Sequence, residues 1–296
     1  MEAKTNGADK KTLITGHTSL YALLGSPVAH SKSPMMHNES FKFHGINAVY
    51  LCFDVDEDHL KTAVEGLKAI GIRGFNCTMP VKNRMMELAD DFSPAARLIG
   101  ATNTCVIDGG KIIAHNTDGI GYMHACRDAG FEIAGGTMTL LGAGGAASAI
   151  CVQAALDGVK KINVFSIRDV FFERAERLVN RINAETSCKA ALFELGNDAE
   201  LADSIAHSDI LTNATSVGMA PNTDACLIPD ISMLRKGLIV SDVIYNPAKT
   251  KLFKMAEEAG CHVFNGMYML LYQGAEAFKI WTGKEMPVHI IKEKFF

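Results

Sequence analysis

No two of the eight cysteines in this 296-residue sequence lie closer than 21 residues, and none belongs to a CxxC pair. That spacing excludes a zinc-ribbon pattern and a small disulfide scaffold, and leaves reduced core thiols as the expectation. None of the ten histidines shows metal-ligand spacing, so no metal is expected. No basic run exceeds two residues, as at Lys160-Lys161, and 29 basic against 33 acidic side chains give a net charge of −4. A nucleic-acid partner is therefore not expected. The first twelve residues, Met1 to Thr12, are polar and lack the apolar stretch of a signal peptide. A frayed tail on a cytoplasmic chain is the expectation. Internal repeats and low-complexity linkers are absent too.

One segment has no charge at all. Gly135 to Leu156 runs 22 residues without Asp, Glu, Lys or Arg, long enough on paper to cross a bilayer. It nevertheless contains five glycines together with Thr137, Thr139, Ser148 and Gln153, and it divides at Gly142 into a strand-like and a helix-like half. A buried strand leading into a buried helix explains it without a membrane.

What is present is ordinary globular composition, 48% apolar and 21% charged, at a length that suits two domains. The first 120 residues alternate strand and helix patterns. Ser33-Pro34 reads as a helix cap followed by proline, with Gly45 as the stop, and Ser93-Pro94 to Gly100 repeats that grammar. Asp56 is expected to cap a helix whose Leu60, Val64 and Leu67 share a face. Thr104–Ile107 and Lys111–Ala114 flank Asp108-Gly109-Gly110 as a hairpin. Beyond Gly121 six candidate strands (137–141, 161–165, 189–193, 209–213, 237–243 and 261–264) are mostly separated by helical patterns. This predicts an α/β protein with a doubly wound parallel sheet. After Gly266 the chain reads as helical to its end.

Gly142-Ala143-Gly144-Gly145-Ala146-Ala147 follows the first of those strands and opens an alanine-rich helix, matching G-x-G-x-x-[G/A] in its required context. Gly142 permits the tight turn, Gly144 the approach of a pyrophosphate, and the helix start supplies N–H groups to that anion. A nicotinamide dinucleotide is the expected cofactor. The loop after the second strand, Ser166-Ile167-Arg168-Asp169, carries a mixed signal. Asp169 suits ribose hydroxyls and thus NAD, whereas Arg168 suits the 2′-phosphate of NADP.

Five further polar clusters sit in turn-rich, apolar surroundings: His30-Ser31-Lys32-Ser33-Pro34, Asn76-Cys77-Thr78-Met79-Pro80-Val81-Lys82, Gly100-Ala101-Thr102-Asn103-Thr104, Asn116-Thr117-Asp118-Gly119 and Tyr268-Met269-Leu270-Leu271-Tyr272-Gln273-Gly274. In this order they resemble the shikimate dehydrogenase family. The last third, with Asp209-Ile210-Leu211-Thr212-Asn213, Tyr245-Asn246-Pro247 and Trp281-Thr282-Gly283-Lys284, is most similar to its quinate/shikimate branch. The resemblance implies a split substrate-binding domain, 1–120 plus 265–296, around a Rossmann NAD(P)-binding domain, 121–264. It implies reversible hydride transfer at a ring carbon of a cyclohexene carboxylate, a role in aromatic amino-acid biosynthesis, and, for that branch, a homodimer.

By the same resemblance Ser31 and Ser33 hold the substrate carboxylate with help from Tyr245, and Thr78, Asn103 and Gln273 bind ring hydroxyls. Lys82 and Asp118 take the acid–base roles. Residue chemistry supports this independently: a lysine serves as acid and base if its pKa falls from about 10.4 toward 7–8. A close carboxylate such as Asp118 pulls the other way, so which of the two moves the proton stays open. Met269, Val243 and Gly266 are expected beside the nicotinamide, while His30 is expected to steady its loop rather than react.

Two departures stand out. The family's Asn-Arg-Thr after the second cofactor strand is here Ser166-Ile167-Arg168, which favours NAD with NADP possible. Tyr268 replaces a usual glycine, where a ring is expected to narrow or reshape the nicotinamide pocket. Alternatives are a quinate-preferring enzyme of the same family, another two-domain dehydrogenase such as a methylene-tetrahydrofolate dehydrogenase, and a non-catalytic nucleotide-sensing module. The paired serines with Asn103 and Asp118 oppose the second, and retention of Lys82 and Asp118 opposes the third.

Overall fold

The computed structural model describes residues 14–296, so the polar segment Met1–Thr12 lies outside the described residues. Two six-stranded sheets organise the chain. The first contains β1 (Ser19–Gly25), β2 (Ala48–Asp54) and β3 (Gly74–Cys77), with helices α1 (Ser33–His44) and α2 (Leu60–Ala69) in the crossovers. It continues through β4 (Asp91–Phe92), α3 (Pro94–Ile99) and the hairpin β5 (Thr104–Asp108) to β6 (Lys111–His115). Its order is β2-β1-β3-β5-β6-β4, parallel among the first three strands and antiparallel at β3–β5 and β5–β6. Gly109 and Gly110 make the hairpin turn with φ of 55° and 82°, where a side chain would be strained.

Helix α4 (Asp118–Asp128) leads into the second sheet, whose strands are β7 (Thr137–Leu141), β8 (Lys161–Ser166), β9 (Lys189–Glu194), β10 (Ile210–Asn213), β11 (Ile239–Asp242) and β12 (His262–Asn265). Helices α5 (Gly145–Leu156), α6 (Phe172–Glu185), α7 (Asp198–Ala206) and α8 (Lys251–Glu258) accompany them. All six expected strands are present and all pair in parallel, in the order β12-β11-β10-β7-β8-β9. The order reverses between β7 and β10, which opens a crevice at their carboxyl ends, the place where such sheets take ligands. Helices α9 (Met267–Thr282) and α10 (Val288–Phe295) then return to the first sheet.

The uncharged 22-residue segment is β7 and α5. Eight of the twelve α5 residues are buried, because α3, α4 and α6 pack around it. No helix among the described residues is long and apolar enough to cross a membrane. All eight cysteines are free and five are buried, and burial pushes the Cys126 thiol up to about 12. Such thiols act as small apolar side chains rather than nucleophiles.

Two capping expectations need correction. Asp56 does not cap α2 itself: its Oδ1 accepts the His59 N–H at 2.9 Å and closes the turn before the helix. Ser33 makes no side-chain cap and lies inside α1, while the Ser31 hydroxyl accepts the Ser33 N–H at 3.2 Å. Ser93 does cap α3, accepting the Ala96 N–H.

Helix α4 joins the two sheets by close approach. A Cβ on Gly119 would lie 2.3 Å from the Ala149 carbonyl oxygen in α5, and one on Gly121 would lie 2.6 Å from the Gln273 nitrogen in α9. Tyr122, fully buried one residue on, reaches Thr212 at 2.6 Å and Ser241 at 2.7 Å on β10 and β11. Trp281 of α9 donates from Nε1 to the Cys105 carbonyl at 3.0 Å, against Gly74, where a Cβ would meet the indole at 2.5 Å. His37 stacks on Tyr50 at 4.5 Å, with Trp281 at 5.1 Å, and neither ring nitrogen has a partner. Burial pushes its pKa down to about 3.

Gly121→Ala should push α9 from α4 and cost about 1–3 kcal/mol, read as a lower urea midpoint with an unchanged slope. His37 stays neutral when folded but charges below its ordinary 6.5 when unfolded, so stability falls as pH drops from 6.5 toward about 3. Between pH 7 and pH 5 the wild type should lose about 2 kcal/mol through this group. His37→Phe should remove that component, measured as urea unfolding at both pH values.

Candidate active site

A cleft of about 390 Å³ lies where the loops of the first sheet and the start of α1 face the end of β11 and the start of α9. Ser31, Ser33, Thr78, Lys82, Asn103, Asp118, Tyr245 and Gln273 all line it, as do Val243, Gly266, Met269 and His30. Eight residues predicted to touch one substrate, drawn from six separate segments, thus converge on one space.

Their placement follows from local structure. Strand β3 ends at Cys77, and the Val81 N–H bonds the Thr78 carbonyl to turn the chain. The Lys82 carbonyl accepts the Thr102 N–H at 3.0 Å, which fixes the lysine's backbone. Lys82 Nζ then lies 2.6 Å from Asp118 Oδ2, with the two side chains 27% and 16% exposed. Shielding at that level strengthens the pair relative to a surface ion pair yet keeps it within reach of a ligand. Asp118 is the first residue of α4, where the helix dipole favours a carboxylate. Its other oxygen, Oδ1, accepts from Asn103 Nδ2 at 2.8 Å.

Asn103 is the hub. Its amide also donates to Gln273 Oε1 at 3.3 Å and Thr117 Oγ1 at 3.0 Å, and its Oδ1 accepts the Thr117 N–H at 2.8 Å. Behind it, Asn76 donates to the Asn103 carbonyl at 3.0 Å and accepts from the Tyr50 hydroxyl at 2.8 Å. Burial drives the Tyr50 phenol well above its ordinary pKa, and the Ser33 hydroxyl works against that shift. Ser33 itself is buried as the first residue of α1 and caps nothing.

On the cofactor side, Gly142 leaves β7 with φ 110°, and a Cβ there would sit 2.9 Å from Thr215. Gly144 precedes α5 with no side-chain cap, and a Cβ on Gly144 or Gly145 would meet nothing within 4 Å. Ala143 is buried and Ala146 half-buried beside them. An uncapped helix start in open space fits a pyrophosphate, so the turn suits a dinucleotide. Gly266 lies against Val243, whose carbonyl oxygen would be 1.9 Å from a Cβ there; only glycine lets α9 start so close to the end of β11.

At the loop after β8, Arg168 Nε donates to Glu194 Oε2 at 2.9 Å, and its guanidinium lies 4.8 Å from the Phe172 ring. Asp169 Oδ1 accepts the Phe171 N–H at 2.9 Å. Neither Arg168 nor Asp169 lines the cleft, as suits the far end of an extended ligand. Ile167, Val170 and Phe171 stand exposed in the same loop.

Tyr268 departs from expectation. Its ring does not line the cleft but a separate depression with Phe264 and Asp128, with Lys292 Nζ 4.1 Å over it. Four further residues were not singled out from sequence. Asn76 and Lys32 stood inside quoted motifs but carried no role, and Glu194 sits 26 residues from the arginine it pairs with. Asp242 is buried at the end of β11, accepting from Asn213 (3.1 Å), the Ile244 N–H (3.0 Å) and Thr250 (2.7 Å); burial raises its pKa. A carboxylate closing an apolar strand was its only signal.

Comparison with known proteins agrees with this geometry. A model of the shikimate dehydrogenase substrate binding domain matches residues 23–105, and one of the shikimate 5′-dehydrogenase C-terminal domain matches residues 266–294. The chain is 52% identical to the shikimate dehydrogenase (NADP(+)) of Listeria monocytogenes over 96% of its own length and 97% of the relative's. It is 44% identical to a quinate/shikimate dehydrogenase of Escherichia coli, over 95% and 97%. The crystal structure of a Listeria monocytogenes shikimate 5-dehydrogenase in complex with shikimate and NAD superposes with a TM-score of 0.94 at 52% identity, over 96% of this chain and 98% of that one. On fold, converging residues and sequence together, the chain belongs to the shikimate dehydrogenase family.

Proposed function

We propose that the chain is an NAD(P)-dependent shikimate dehydrogenase, interconverting 3-dehydroshikimate and shikimate and acting also on quinate and 3-dehydroquinate. The observation that carries this is the Lys82–Asp118 pair, 2.6 Å apart and joined through Asn103 to Gln273 inside one cleft. The relatives' names support it.

Residues 1–120 and 265–296 are assigned to the substrate and 121–264 to the cofactor. Helix α4 spans the first of those boundaries and β12 the second. The nicotinamide, when bound, supplies or accepts a hydride at the ring carbon. The chain's own residues do the rest. Ser31 and Ser33 at the start of α1, with Tyr245, hold the carboxylate end of the ring. Thr78, Asn103 and Gln273 hold hydroxyls with neutral groups, which fix orientation without a net charge to desolvate. Lys82 Nζ keeps N–H groups beyond the one donated to Asp118, so it can protonate the alkoxide left by ketone reduction. In the reverse direction the neutral Lys82 amine takes the hydroxyl proton back, with Asp118 orienting it. Gly142 to Ala146 would hold the pyrophosphate, and Val243, Gly266 and Met269 would wall the nicotinamide.

For the cofactor we favour NAD, with NADP accepted. Glu194 already engages Arg168, so a 2′-phosphate must compete with a carboxylate for that guanidinium, while Asp169 remains for ribose hydroxyls.

Absorbance at 340 nm with shikimate or quinate and NAD or NADP tests the reading; no turnover in any of the four combinations would refute it. Lys82→Ala should lower kcat by at least about 100-fold, and retention of activity within tenfold would sink the acid–base assignment. Glu194→Gln should raise kcat/KM for NADP relative to NAD by about two- to fivefold, the scale of an exposed ion pair. An unchanged ratio would remove Arg168 from cofactor choice.

A further inference from the structure

The charged side chains lining the cleft are Lys32, Lys82 and Asp118. Lys82 and Asp118 neutralise each other at 2.6 Å. Lys32 has no carboxylate partner among the described residues. Its Nζ donates instead to the Phe295 carbonyl at 3.0 Å and lies 4.6 Å from the Phe296 ring. Both contacts come from the last two residues of the chain, 263 and 264 positions away, and both leave the ammonium its full charge. A cation held by a carbonyl and an aromatic face retains N–H donors for a third partner. Lys32 also lies between Ser31 and Ser33, at the start of α1, where the Ser31 hydroxyl accepts the Ser33 N–H.

We propose that Lys32 is the residue that selects a carboxylate-bearing substrate, by giving an otherwise balanced cleft its net positive charge. Phe295 and Phe296 act as positioning residues that hold its ammonium at the cleft. The proposal rests on the activity assigned above, and it adds a charged selector to the neutral hydroxyls of the two serines. It also ties substrate choice to the docking of α10, which Lys294–Glu39 and Lys292–Asp128 pairs hold in place.

Steady-state kinetics with shikimate and with its uncharged methyl ester test it. Lys32→Met should raise KM for the acid by about five- to tenfold, as expected for a partly exposed charged hydrogen bond, with kcat within about twofold. The ester should be unaffected, and Lys32→Arg should restore most of the acid's affinity. Phe296→Ala, which removes the ring and keeps the Phe295 carbonyl, should raise KM for the acid alone, by about two- to threefold. For wild-type enzyme, kcat/KM for the acid should fall with added salt while that for the ester stays flat. This last measurement needs no variant to fold. Equal effects of Lys32→Met on acid and ester, or equal salt dependence, would overturn the assignment of Lys32. Failure of the wild type to turn over shikimate would instead overturn the activity itself.

Discussion

Everything in the cleft depends on how closely one short helix can be approached from both sides. Helix α4 begins with the carboxylate that faces Lys82, and within five residues it presents two glycines and a buried tyrosine to four other elements. Without Cβ atoms at Gly119 and Gly121, α5 and α9 come into backbone contact with it. The glycines have a conformational cost in a helix, of the order of 1 kcal/mol each. In return the carboxylate, the strand ends of the second sheet and Gln273 share one rigid frame, which is what a site needs if reacting groups are to stay within fractions of an ångström. The Gly266–Val243 contact is the same device at the opposite wall.

The cleft is mostly neutral amide and hydroxyl chemistry in a fixed network. Asn103 uses both ends of its amide, which removes any freedom to flip, and Asn76 repeats the pattern one layer deeper. Fully partnered buried amides rigidify a site, whereas partly satisfied ones would weaken it. Asp242 shows the limit of that approach. It is a buried carboxylate with three donors and no cation, and burial still raises its pKa. Its bonds to Asn213 and Thr250 shape the chain just before Val243, so that wall of the cleft rests on this group.

Much of this was legible in the linear sequence, for a physical reason. A Gly-rich turn between an apolar strand and an alanine-rich helix has few other uses, and all six strands of the second sheet could be read from apolar runs. Asn103 and Lys82 stood in polar clusters that solubility did not require, but only the resemblance of those clusters to a known family pointed the two residues to the cleft. A lysine just after a proline is by itself an ordinary surface residue. What escaped reading is what depends on distance in the chain. Nothing near Arg168 announces Glu194, and nothing near Lys32 announces the final two phenylalanines. Local grammar also misled. Ser33-Pro34 has the form of a helix cap, but it is the Ser31 hydroxyl that accepts the Ser33 N–H, and Ser33 lies inside α1. Tyr268 looked like a pocket residue by its neighbours Met267 and Met269, yet successive helix positions point about 100° apart, and its ring goes the other way.

Trp281 gives the molecule a property separate from chemistry. It is the chain's single tryptophan, and its indole sits on α9, hydrogen-bonded to β5 and pressed against Gly74 and Tyr21 of the first sheet. Selectively excited emission from this protein therefore originates at one seam, where the returning helix α9 packs on the first sheet. The second sheet carries no such fluorophore. A change in that emission therefore reads the packing of α9, the helix that also bears Met269 and Gln273, on the first sheet, with no label attached.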